Sequence, residues 1–458
     1  MDQTEHHRAD TRARVLDAVR SSGARKVKVA VADVDGVLRG KYVHIDKFFA
    51  AVDGGIGFSV FGTDLNDRPY GEGYASGRRL GFPDATVELD LGTHRTVPWD
   101  GDVPFFLGQF VKPDGSPHPL CPRQVLRRVL GRARDMGFQV MAGLEYEFVN
   151  FHETPQTWAE KKGHRPQPIT HGMMGYSLVE ANLHRDYIAA LMDETARFGV
   201  PLESLHTETG PGVYEAAILF GDALEAADRA ILFKDAAKEI AARFGIMPSF
   251  MAKWHPKYPG SAGHIHQSLS DGARNLFHDP AGRRGGMSRL FESYVAGQLT
   301  YLFELAPMFW PTVNSYKRLV DGFWAPVKAT WGVDNRTAAF RVLAGSPTST
   351  RVETRCPGAD TNAYLAMAAC LAAGLAGIEQ GLELTAPPIH GDNEGADAAV
   401  RAPRTLIETT RIFHASRLAR EWFGDAFVAY FAATREQEWR EWLDAVTDWE
   451  LRRYFDVI

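Results

Sequence analysis

Cysteine is scarce in this chain, with three residues (Cys121, Cys356 and Cys370) among 458. An odd number without metal-ligand spacing argues against a disulfide framework and a thiolate zinc site, and it predicts a reduced, cytoplasmic protein. Positive charge is not in excess. A net charge of −6 gives no reason to expect nucleic acid or an anionic membrane as partner. Long apolar runs are missing too. The first 25 residues are polar and charged, without the apolar core of a signal peptide. The longest run, Ala363 to Ile378, is rich in Ala and Gly and reads as a buried helix. No internal repeat or low-complexity tract occurs. What remains is an ordinary soluble composition, 45% hydrophobic and 24% charged, in a chain long enough for a large core and two domains.

Against these absences stand three segments rich in hard-cation ligands: Glu145-Tyr146-Glu147, Glu208 to Glu215, and Gly263-His264-Ile265-His266. A fourth, Arg351-Val352-Glu353-Thr354-Arg355, sets a carboxylate between two guanidiniums. Alternate residues of a strand share a face, so Glu145 with Glu147, His264 with His266, and Arg351 with Glu353 and Arg355 can each line one surface. Five carboxylates and one imidazole suit two Mg²⁺ or Mn²⁺ ions better than zinc. The arginines call for anionic ligands such as phosphate or carboxylate. Together they describe phosphoryl chemistry on an acid.

The periodicity predicts a helical leader over residues 1–25, with Val15, Leu16 and Val19 at helical spacing. A hairpin should follow, with strands at Val27–Val34 and Arg39–Val43 around an Asp35-Gly36 turn. Short strands continue to about Trp99. Cys121-Pro122-Arg123 opens a helix that Gly137 closes. Residues 152–175 read as a surface excursion, and helices are expected at Tyr187–Phe198, Gly221–Phe244, Ser288–Leu305 and from Leu406 onward.

Four further stretches, Asn314-Ser315-Tyr316-Lys317-Arg318-Leu319, Asn335-Arg336-Thr337, Phe250-Met251-Ala252-Lys253 and Asn362 to Leu365, complete a pattern that resembles the glutamine synthetase family from about Val27 to the C-terminus. The resemblance implies an α+β architecture, with a small N-terminal β-grasp domain (26–115) after the leader. A large catalytic domain (116–458) would carry the site on an antiparallel sheet. It implies that Glu147, Glu208 and Glu215 hold one metal, and Glu145, His264 and Glu353 another, two or three ions in all. His266, Ser268, Arg341 and Arg351 would hold ATP as co-substrate. Gly260, Arg318 and Arg355 would hold glutamate, with Arg336 stabilising the transferring phosphoryl group. A homododecamer of two hexameric rings is implied as well.

The departures from the family pattern carry the specificity. In ammonia-using members a Glu occupies the position of Trp324, where it accepts a proton from ammonium. An indole removes that base and supplies an apolar wall and a cation–π surface. Phe61-Gly62-Thr63-Asp64-Leu65 replaces the usual ammonium-binding Asp-Gly-Ser-Ser, leaving Asp64, or Asp67, to orient an amine from a neighbouring subunit. Thr348 stands where a nucleotide-contacting Lys is common. Pro259 replaces an Asn, and Gly260-Ser261-Ala262-Gly263-His264 replaces Gly-Ser-Gly-Met-His. No Tyr occurs between His390 and Ala402 to serve as a nucleotidylation target. These features predict an ATP-dependent ligase joining the γ-carboxylate of glutamate to a small organic amine through γ-glutamyl phosphate. The rivals are an ammonia-using glutamine synthetase and a non-catalytic relative.

Overall fold

The computed structural model describes residues 3–59, 62–70, 81, 83–282, 284, 286–392, 396 and 399–458, and the backbone alone for 3–9. Phe61, the whole of 71–80 within the expected run of short strands, and part of the 390–402 stretch lie outside the described residues.

The leader forms α1 (Gln3–Ser21), and its Val15 and Val19 enter the core. The β-branched run Lys26–Ala32 forms β1, which pairs antiparallel with β2 (Leu38–His44) in the register Ala32↔Leu38. Gly36 supplies a φ of 81° in the loop between them. After α2 (Ile45–Gly54) come β3 (Ile56–Phe58), β4 (Ala85–Leu89), β5 (Arg95–Val97) and β6 (Val103–Val111). They form a six-stranded sheet ordered β2-β1-β6-β4-β3, with β5 also on β6; only β1 and β6 run parallel. This mixed sheet with an α-helix fits the expected β-grasp unit.

Cys121 precedes α3 (Pro122–Asp135), whose first residue is a proline, and Gly137 takes a φ of 85° just after it. The second, nine-stranded sheet is built from β7 (Gln139–Phe151), β8 (Leu202–Thr207), β9 (Val213–Ile218), β10 (Gly221–Asp222), β11 (Met247–Ser249), β12 (Gly263–Ser270), β13 (Trp331–Val333), β14 (Phe340–Leu343) and β15 (Arg351–Thr354). Its order is β13-β14-β15-β12-β7-β9-β8, antiparallel except for β13 with β14. The excursion at 152–175 holds α4 (Pro155–Glu160). The helices α5 (Leu178–Leu183), α6 (Arg185–Arg197), α7 (Ala223–Ala242), α8 (Arg289–Tyr301) and α9 (Ala363–Glu379) follow, then α10 (Leu406–Ala415), α11 (Arg417–Phe423), α12 (Asp425–Leu443) and α13 (Asp448–Tyr454). The expected helices are present, each within a few residues of the ends read from sequence.

Period two decides what the second sheet shows to each side. On β7, Tyr146 and Phe148 are fully buried against Phe233 of α7, so Glu145 and Glu147 project from the opposite face. Being apolar on every side, α9 is buried from Ala363 to Gly377. Arg123 of α3 forks onto Asp228 of α7 at 2.9 Å through two bonds, and Tyr364 of α9 donates to the same carboxylate, tying three helices together. The seam between the two sheets is closed by Asn362. Its amide donates to the carbonyls of Asp33 and Val34, and its oxygen caps the N-terminus of α9. Among the described residues no helix is long and apolar enough to cross a membrane.

Candidate active site

The strand registers set the ligand residues side by side across the second sheet. Arg341 pairs with Glu353, Glu353 with His266, His264 with Glu145, Glu147 with Glu215, and Glu215 with His206. Three compact groups result: Glu145, His266 and Glu353; Glu147, Glu215 and His264; and His206, Glu208 and Glu215. All six metal residues expected from sequence come together. The imidazoles distribute differently from the expected partition, with His264 beside Glu147 and Glu215, and His266 beside Glu145 and Glu353.

Electrostatics fit this donor set to divalent cations. Glu147 is pushed up to about 7 by burial and by the neighbouring Glu215 charge, and Glu215 is raised likewise by burial. Burial and the Arg355 charge push His264 down to about 3, leaving a neutral imidazole whose Nδ1 is buried without a partner. Burial raises Glu145, but His266 more than offsets this and holds it at about 2; His266 Nε2 lies 3.1 Å from Glu145 Oε1 without hydrogen-bond geometry. Crowded carboxylates and orphaned imidazole nitrogens are the arrangement that a cation relieves.

One consequence is measurable. The native state holds protons on Glu147 and Glu215 that the unfolded chain has released, so metal-free stability should fall as pH rises from about 4.5 to about 7. Glu145, depressed in the fold, acts in a lower window, losing its contribution as pH falls from about 4.5 toward 2. His264, depressed in the fold, works the other way up to about pH 6.5, so melting temperature in chelator should drop between about pH 6.5 and 7.5, and Mn²⁺ should restore it. A flat profile would sink the crowding argument.

The arginines divide into two kinds. Arg318 is buried and spends its fork on the carbonyls of Cys356 (2.8 Å) and Arg355 (3.3 Å), leaving Nε unpartnered. Arg355 donates through Nε to the Arg336 carbonyl at 2.8 Å and through Nη1 to Glu353. By contrast, the side chain of Arg336 is exposed, and its charge reaches Tyr176. Gly260 lies directly against Arg318. A Cβ there would stand 2.4 Å from the Ala252 carbonyl and 2.7 Å from Arg318 Cγ. Gly260→Ala should displace Arg318, and on the glutamate-binding role that the resemblance implies for Arg318 it should raise the KM for glutamate at least about tenfold, read from glutamate saturation curves.

His266, Ser268 and Arg351 line a cavity of about 550 Å³ together with Glu145, Phe220 and Thr348. Arg351 donates to His266 Nδ1 at 3.1 Å. Arg341 lies outside this lining, bonded to Glu353 (2.9 Å) and to Asp334 (2.6 Å).

Two residues near the metal groups escaped the sequence reading. Tyr176, with a φ of 55°, stacks on His206 with ring centroids 4.1 Å apart. His206 places Nδ1 3.0 Å from the Thr207 carbonyl and Nε2 3.5 Å from Glu215. The two-residue step from His206 to Glu208 was a legible signal, since it matches Glu145 to Glu147; Tyr176 comes from a loop and gave none.

The expected amine-side residues make local contacts of their own. Asp64 is buried and accepts from the amides of Asn66 and Arg68, both at 2.8 Å, closing its own loop. Asp67 pairs with Arg39 at 2.6 Å. Trp324 is 64% exposed, with a φ of 56°, beside Phe323 over which Lys253 sits at 4.3 Å.

The family model "Glutamine synthetase, catalytic domain" matches residues 119–454. The chain belongs to the glutamine synthetase family. This family member is 44% identical over 451 residues to type-1 glutamine synthetase 2 of Dictyostelium discoideum, covering 97% of this chain and 86% of that one. It is 34% identical over 455 residues to the glutamate–isopropylamine ligase of a Pseudomonas species (97% and 98%). It is 39% identical over 392 residues to the γ-glutamylethanolamide synthetase of Streptomyces coelicolor (84% and 82%). Among solved structures it resembles GmaS in complex with ADP, with a TM-score of 0.84 and 27% identity, covering 96% of this chain and 99% of that one. The α+β fold expected from sequence is thus the glutamine synthetase fold.

Proposed function

We propose that this glutamine synthetase homologue joins the γ-carboxylate of glutamate to an organic primary amine, with ATP as co-substrate. The observation that carries the reading is Trp324, an exposed indole where an ammonia-using site needs a carboxylate. Two relatives support it, one named for joining glutamate to isopropylamine and the other for making γ-glutamylethanolamide.

In the first step the glutamate γ-carboxylate attacks the γ-phosphorus of ATP, the bond to ADP breaks, and γ-glutamyl phosphate forms. In the second the amine nitrogen attacks the acyl carbon, phosphate leaves, and the ammonium proton passes to a carboxylate. Mg²⁺ or Mn²⁺ ions held by Glu145, Glu147, Glu208, Glu215, His264 and Glu353 supply charge neutralisation of the phosphates and the attacking carboxylate. Arg318 and Arg355 shape the glutamate pocket, the free guanidinium of Arg336 meets the developing phosphoryl and tetrahedral charge, and Gly260 lets substrate approach the backbone. His266, Ser268 and Arg351 hold the nucleotide in their cavity, and Arg341, outside that lining, meets its phosphates from beside Glu353. Trp324 covers the amine and excludes water. Asp64, or Asp67 as second choice, orients the amine from a neighbouring subunit. That role fits a cytoplasmic homododecamer whose sites lie between the 26–115 domain of one subunit and the 116–458 domain of the next.

A second reading, ammonia as the nucleophile, is favoured by the 44% identity to type-1 glutamine synthetase 2. Phosphate release with ATP, glutamate, Mg²⁺ or Mn²⁺ and a panel of amines including ammonia separates the two. Turnover with an organic amine well above that with ammonia is the expected result. The reverse preference would establish the second reading, and silence across the panel would discard both.

A further inference from the structure

The face of β12 turned away from the metal groups carries Ile265, Gln267 and Leu269, all buried. Gln267 is the polar one of the three, and every hydrogen-bonding position of its amide is filled. Its Oε1 accepts from Tyr294 Oη at 2.7 Å and from Gln298 Nε2 at 2.8 Å, both on α8. Its Nε2 donates to the Ile265 carbonyl and to Thr354 Oγ1, each at 3.0 Å. Thr354 Oγ1 in turn donates to Gln298 Oε1 at 3.4 Å, and Gln298 Nε2 donates to the Cys370 carbonyl of α9 at 3.2 Å. Gln267, Tyr294, Gln298 and Thr354 are each at most 1% exposed.

Buried polar groups on this scale need a reason, since a core of the same shape made of apolar residues would be as stable. Their position supplies one. Thr354 follows Glu353 on β15, and Gln267 follows His266 on β12. His266 and Glu353 are direct cross-strand partners. The ring of bonds therefore locks β12 to β15 from beneath, at the rung where His266 and Glu353 stand above. The helices that carry it approach closely. A Cβ on Gly297 would meet the Ala373 carbonyl at 2.2 Å, and one on Gly374 would meet the Tyr294 ring at 2.1 Å. These glycines let α8 and α9 bring Tyr294 and Gln298 up to the sheet.

The geometry points to Gln267, Tyr294, Gln298 and Thr354 as positioning residues that hold Glu353 in place for the metal and keep its spacing to His266, its neighbour in the same compact group. The inference rests on the metal reading above. It is tested by Mn²⁺ binding to the full-length protein, followed by electron paramagnetic resonance of free Mn²⁺, alongside thermal melting. The all-apolar variant Gln267→Met, Tyr294→Phe, Gln298→Met, Thr354→Val should melt near the wild type yet bind Mn²⁺ about 10–100-fold more weakly, as is typical when outer-shell partners are lost. Thr354→Ser, which keeps the hydroxyl, should retain affinity, whereas Thr354→Val alone should lose part of it; this pair decides the matter if the fourfold variant does not fold. Wild-type affinity in every folded apolar variant overturns the positioning role and leaves the metal reading intact. Failure of the wild type to bind Mn²⁺ overturns the metal reading, and the positioning role with it.

Discussion

Glu353→Gln is expected to lower ATP-dependent turnover by at least about 10³-fold, because several kcal/mol of charge organisation depend on that carboxylate. Its side chain is 1% exposed and stands between Arg341 Nη1, at 2.9 Å, and Arg355 Nη1. Burial opposes its ionisation, but Arg355, the two histidines and Arg341 hold it far below the usual carboxylate range. It is therefore charged at every working pH and available as a ligand. The amide keeps shape and volume but removes the charge, leaving two guanidiniums facing an uncharged group. A stability loss of up to about 3–5 kcal/mol belongs to that change, so activity must be read well below the variant's melting temperature. Phosphate release at wild-type rate from folded Glu353→Gln would mean that the metal assignment is wrong.

Trp324→Glu should change the ratio of kcat/KM for an organic amine over ammonia by at least about 100-fold in favour of ammonia. Two effects add. A positioned base contributes about 10²–10⁴-fold to proton transfer. The lost apolar wall forfeits about 0.8 kcal/mol for each CH₂ of the amine it would have covered. Trp324→Gly separates them, since it removes the wall without adding a base. Trp324 holds a φ of 56°, a conformation costing a non-glycine residue about 1–2 kcal/mol. The glycine variant should thus gain about 1 kcal/mol of stability and lose amine discrimination without improving on ammonia. An unchanged amine preference in both variants would reduce Trp324 to a packing residue of its loop.

Local signals were readable in this chain, and long-range ones were not. Pro122 and Gly137 marked α3, the β-branched run marked β1, and the even apolarity of Ala363–Ile378 marked a buried helix; each depends on neighbours in sequence. The two-residue steps put Glu145 with Glu147 and His264 with His266 on single faces, as the sheet has them. The order in which β7, β12 and β15 lie side by side depends on pairing between segments about 120 and 90 residues apart, and no local pattern encodes it. Hydrogen-bond partners were equally hidden. That Arg318 gives its fork to backbone carbonyls, and Asp64 its carboxylate to its own loop, follows from burial and chain path. His206 was missed although its spacing was visible, because a lone histidine carries little weight until the strand beside it is known.

Asn362 joins events far apart in the folding of the chain. The same amide that starts α9 also grips the carbonyl of Asp33, 329 residues earlier. The first turn of this central helix thus gains its full cap only after the N-terminal hairpin has arrived. Closing so long a loop is slow, though the entropy cost grows only with the logarithm of its length. The amides of Tyr364 and Leu365, which the cap holds, should therefore acquire protection from hydrogen exchange late, together with β1, while the middle of α9 is protected earlier.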